Sequence, residues 1–154
     1  MIQTRRQVAI LLLVSMIAYS GYGFACSAND VSKVKKKVAD AAAILNTAAK
    51  SNRSLYQSGV YGAVGSPSAI VKRQQVAQAI HQANEWLSMA VERAASLTVD
   101  TLPQGKTDIV ALLQKASIIL AAVHVDNENI QLVLTSAVTA INAAVTLTLA
   151  IKGV

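Results

Sequence analysis

Val31, Val34, Val38, Ala41, Leu45, Ala48, Asn52 and Leu55 follow one another at steps of three and four without a break. On a helix, such steps stack along one face, whereas on a strand they scatter over both faces. The stretch therefore predicts an α-helix with a single buried seam, roughly over 29–56. Asn29 or Asp30 is the expected N-cap, with Ser27 as the alternative, since short polar side chains accept from the free amides of a first helical turn. Lys33, Lys36 and Lys37 fall opposite the seam and Lys35 on its flank. That face reads either as plain solvated surface or as a membrane-surface contact, because a lysine group beside an apolar segment suits anionic headgroups.

A helix with one apolar seam needs other helices to cover it, and three further stretches supply them. Val76, Ile80, Ala83, Leu87, Ala90, Ala94 and Leu97 repeat the pattern and predict a helix over 67–98, the longest of the set. Ser66 caps it, and Pro67 stands in its first turn, where a missing amide costs nothing. Trp86 is expected at the rim of that seam. After a connection at 100–105, Ile109, Leu112, Leu113, Ala116, Ile119, Leu120 and Val123 predict a helix over 107–125. A turn rich in cap formers, Asp126 to Asn129, leads into a last helix over 129–152, and its shortness makes the last two helices antiparallel neighbours. The chain is 53% hydrophobic but only 4% aromatic, which suits closely approaching, alanine-rich helices. The expected architecture is all-α, an antiparallel up-and-down four-helix bundle in a single domain over 26–154.

Residues 130–151 contain no charged side chain in 22 positions, which is the length of a membrane span. Their polar members Gln131, Thr135, Thr139, Asn142 and Thr146 nevertheless line one side. A bundle helix with one wet edge needs such a stripe and a lipid-facing helix does not. The bundle is the preferred reading, and the alternative is a small integral membrane protein with a helical hairpin (109–125, 130–151) in the bilayer.

Ahead of the bundle, residues 1–25 have the layout of a signal peptide or membrane anchor. Arg5 and Arg6 precede an apolar run from Val8 to Ala18, and small residues lead to Ala25 and Cys26, the single cysteine. The bond before Cys26 resembles a bacterial lipoprotein cleavage site, in which the cysteine is acylated, although Gly23 stands where an aliphatic residue is expected. Plain cleavage at Ala25 or after Ala28, and an uncut anchor, are the other two fates. Thr4 to Ala9 also loosely matches a twin-arginine signal. Lys33 to Lys37 complicate export, since positive charge prefers the cytoplasmic side.

Three glycines and Pro67 fall between Gln57 and Pro67, so the longest connection lies there, carrying Tyr56 and Tyr61. These tyrosines read either as packing back on the bundle or as an interaction loop. Alternating helices would put this loop and the acidic turn with Asp126 and Glu128 together at the end opposite the N-terminus, as a docking surface for a protein partner.

Few constellations carry chemistry. His81 with Glu85, and His124 with Glu128, are four apart, a spacing that can share a helical face. Dinuclear carboxylate bundles, however, need further glutamates on their other helices. Met89 reads as a packing residue. No catalytic, cofactor or metal residues are assigned, and no enzyme activity is expected. The net charge of +6 falls to +4 without Arg5 and Arg6, too little to imply nucleic acid, and no small-molecule substrate is inferred. The sequence points to an exported protein of the periplasm or cell envelope with a binding or scaffolding role. The membrane hairpin is the alternative, and a cofactor- or metal-binding bundle enzyme a distant third.

Overall fold

The computed structural model describes residues 27–151. The expectations for residues 1–25 and for cleavage or lipidation at Ala25 and Cys26 lie outside the described residues, whereas the last helix, expected to reach 152, ends at Ala150 with Ile151 extended. Among the described residues four helices follow in order: α1 (Ala28–Gln57), α2 (Pro67–Ala95), α3 (Leu102–Ala121) and α4 (Glu128–Ala150). α1 packs on α2 and α4, and α3 packs on the same two helices, so the chain closes an up-and-down ring around one core. The near end of the bundle holds the starts of α1 and α3, and the far end holds the starts of α2 and α4.

The seams expected from spacing are the buried faces. Val34, Val38, Leu45, Ala83, Leu87 and Ala90 are all fully enclosed. From α3 and α4, Ile109, Leu113, Leu120, Leu134, Ala137 and Ile141 meet them. Trp86 is half-buried at the core's edge, with the Lys115 ammonium 4.4 Å from its ring centroid. Thr135, Thr139, Asn142 and Thr146 line the exposed side of α4.

Ser27 begins α1 with a capping box. Its hydroxyl accepts from the Asp30 amide at 3.2 Å, and the Asp30 carboxylate accepts from the Ser27 amide at 3.1 Å. Two amides left over at the helix start are satisfied at once. The Ser27 groups, then Lys33, hold the Asp30 carboxyl below its ordinary 3.8. Among the described residues α1, not α2, is the longest helix, at 30 residues against 29, because α2 stops at Ala95.

Three more boundaries differ from expectation. α2 stops at Ala95, and Leu97 enters the core from the connection. α3 starts at Leu102 rather than near 107. Pro103 stands in its first turn, where no amide is needed, and Gly105 lets the turn approach Leu97: a Cβ there would lie 2.5 Å from Leu97 Cδ2. Proline and glycine, read as loop residues, here belong to a tightly packed helix start. α3 also ends at Ala121, and Val123 and Val125 pack against the core from the connection.

Lysines from α1 and α3 tie the near end together. Lys35 Nζ donates to the Ala95 carbonyl at the end of α2, and Lys106 Nζ donates to the Ile151 carbonyl after α4, each at 3.0 Å. Each cation meets the negative end of an antiparallel neighbour, where the unpaired carbonyls of a helix attract positive charge.

Candidate functional site

The far end is built from the loop between α1 and α2. α1 closes with a Schellman arrangement: the Val60 amide donates to the Leu55 carbonyl at 3.0 Å and the Gly59 amide to the Tyr56 carbonyl at 3.1 Å. Gly59 supplies the left-handed backbone this requires, with φ of 77°. Reversing the chain in this way returns Tyr61 to the core, where it is 5% exposed. Its hydroxyl donates to Asn52 Oδ1, and Asn52 is itself buried in the α1 seam. Burial pushes the Tyr61 hydroxyl up from 10.0 to about 12, with Arg73 pulling the other way.

Tyr56 is half-buried above it, the two ring centroids 6.5 Å apart. The Gly65 amide donates to the Tyr56 hydroxyl at 3.1 Å, and the Arg73 guanidinium lies 4.9 Å from the Tyr56 ring centroid. Both tyrosines therefore pack back and staple the loop to the bundle. The outward surface of the loop is made by Gly62, Ala63, Val64 and Gly65 instead.

The loop does meet the turn before α4. Val60, Tyr61, Lys72 and Gln75 on one side, and His124, Asp126 and Asn127 on the other, enclose a cleft of about 430 Å³. Asn127 caps α4, its side chain accepting from the amides of Asn129 at 3.0 Å and Ile130 at 3.4 Å. Glu128 is exposed in the first turn.

At the near end Lys33, Lys36 and Lys37 are exposed, and Lys33 Nζ lies 3.6 Å from Asp30. Lys35 is half-buried and committed to the α2 carbonyl. The lysine group thus divides into an outward face and one internal tie.

His81 Nε2 lies 3.6 Å from Glu85 on the exposed side of α2. His124 stands outside any helix, because α3 ends before it, so its four-residue spacing to Glu128 places no shared helical face. Among the described residues, no group of three or more histidine, cysteine or acidic side chains converges as a metal site. Met89 is exposed on α2.

Two residues to which the sequence assigned no role beyond their helix organise this end. Asn52 stands in an otherwise apolar seam, and that polar intruder was the readable signal that a buried partner must exist. Arg73 gave no such sign, since an arginine in a polar helical turn reads as surface. No protein-family model, curated protein or solved structure matches this chain.

Proposed function

We propose that this chain is an exported, cell-envelope-associated helical protein with a binding or scaffolding role, standing with its near end on the membrane surface. The observation that carries the reading is the outward trio Lys33, Lys36 and Lys37, exposed on the first turns of α1. They directly follow the stretch whose sequence has the order of an export signal. Each lysine near an anionic surface contributes about 1 kcal/mol, so the three together strengthen attachment by roughly a hundredfold. α1 spans about 45 Å at 1.5 Å per residue, which carries the far end well clear of the headgroups and leaves it free for a protein partner.

Sedimentation with vesicles tests the surface contact. Binding to vesicles containing phosphatidylglycerol, weakened about a hundredfold by Lys33→Gln, Lys36→Gln and Lys37→Gln together, supports it. Equal binding to neutral phosphatidylcholine, or indifference to the triple substitution, contradicts it.

The membrane hairpin remains a second reading, because α4 is long and apolar enough to cross a bilayer. Expression of residues 29–154 separates the two. Recovery of helical protein without detergent supports the surface-standing bundle, and retention in the membrane fraction supports the hairpin.

A further inference from the structure

We infer that the cleft between α1 and α2 binds a small organic oxyanion, a carboxylate or phosphate monoester carrying a short apolar body. The cleft encloses about 300 Å³, the lower end of the range for small-molecule pockets. It exists because small residues face each other across the helix pair: Ala49 on α1 and Ala77 on α2 leave space that larger side chains would fill. Leu45 and Ile80 give it an apolar floor.

Its polar lining has one sign. Arg53 and Arg73 stand toward the far end, and the amides of Asn46 and Asn84 toward the middle. Among the described residues no carboxylate lines the cleft, and neither arginine forms an ion pair. His81 also lines the cleft, and the acid nearest along α2, Glu85, lies 3.6 Å from its Nε2, exposed and outside the lining. Two other clefts hold both signs: Glu92 and Asp108 accompany Arg93 between α2 and α3, and Asp126 accompanies Lys72 at the far end.

Arg73 carries the argument furthest. It is half-buried, its Nε is enclosed with no acceptor, and its guanidinium is held against the face of Tyr56. A cation partly drawn out of water with an unmet Nε–H is costly. An anion in the cleft offsets that cost, and a second guanidinium from Arg53 can share it. Guanidinium groups match carboxylate and phosphate oxygens with paired N–H bonds, while the alanine-walled floor accepts an alkyl or aryl body. The Tyr56 and Tyr61 staple then has a further use: it fixes the loop behind Arg73 and so presets the cation. The inference concerns the helix pair alone and is independent of where the chain resides.

Isothermal titration of the purified full chain with monobutyl phosphate, butanoate, inorganic phosphate and 1-butanol tests it. Saturable binding of a butyl anion is expected, with 1-butanol giving none and inorganic phosphate at least about tenfold weaker. The tighter of the two butyl anions identifies the head group. Arg53→Gln, an exposed position whose change leaves the fold intact, should weaken the butyl anions at least about tenfold, and Arg73→Gln at least as much. Ala49→Leu fills the cleft with all charges retained and should abolish binding. No saturable binding of either butyl anion, equal binding of 1-butanol, equal binding of inorganic phosphate, or wild-type affinity in Arg53→Gln overturns the inference.

Discussion

Replacing the Tyr61 hydroxyl tests how the far end is held together. Tyr61 and Asn52 are 5% and 4% exposed, and the hydroxyl donates to Asn52 Oδ1 in a buried hydrogen bond. Tyr61→Phe keeps the ring and its packing but strands the Asn52 oxygen in the core, which costs about 1–3 kcal/mol. Asn52→Leu makes the converse error and strands the hydroxyl, at about the same cost. The pair Asn52→Leu with Tyr61→Phe removes both polar partners and should return close to wild-type stability, because neither desolvation penalty then remains. The double-mutant cycle therefore has a large favourable coupling, where independent sites would add. Tyr61→Ala lies on a different scale, about 3–5 kcal/mol, since it also opens a cavity beneath the loop. Urea unfolding followed by far-ultraviolet circular dichroism measures all four, with an unchanged denaturant slope showing that the same surface is exposed. A Tyr61→Phe variant within about 0.5 kcal/mol of wild type, the range of ordinary surface changes, would refute the reasoning.

The same geometry makes other measurable demands. Gly59→Ala should cost about 1–2 kcal/mol, from the left-handed backbone rather than a clash, since its Cβ would meet only the Gly62 carbonyl at 3.6 Å; Ser58→Ala beside it is the control. With the Tyr61 proton held up to about pH 12 against 10.0 in an unfolded chain, its contribution to stability is complete below pH 10 and is lost as pH rises toward 12. Absorbance near 295 nm should show a late tyrosinate step that disappears in Tyr61→Phe. Ser27→Ala should cost about 0.5–2 kcal/mol and let the Asp30 carboxyl rise toward 3.8, the value it is now held below. Carbon-13 titration of Asp30 reads that change. Because the Asp30 value is depressed by folding, its support is complete above pH 3.8 and fades as pH falls through the lower folded value.

The part of the fold legible in the sequence was the part written in periodicity. Steps of three and four name the buried faces of α1 and α2, since a helix converts spacing directly into a face. The polar stripe of α4 likewise marks the exposed side. Helix ends are harder to read, because proline and glycine carry opposite meanings by context. Pro67 opens α2 as expected, but Pro103 and Gly105 also open a helix, and only the tertiary approach of Leu97 to Gly105 tells the difference. Val123 and Val125 continue the apolar pattern of α3, yet they leave the helix to cover the core, a choice that depends on contacts outside the segment.

The functional residues divide along the same line. The lysine group is legible because it is local in sequence, although Lys35 leaves it to reach an α2 carbonyl 60 positions away. Arg53 and Arg73 were invisible as a pair, since only the antiparallel packing of α1 and α2 sets them in one cleft. Asn52 was legible only as a member of the α1 seam, because Tyr61 returns to it through the glycine turn.

The central claim, an exported bundle standing on a membrane surface, rests most directly on what becomes of the N-terminal stretch, and the intact mass of the protein isolated from fractionated cells reads it. The account predicts envelope-fraction material whose mass corresponds to a start at Cys26, bare or acylated, or at Asn29, or to an uncut chain held by its apolar segment. An unprocessed chain beginning at Met1 and recovered in the soluble cytoplasmic fraction would contradict it.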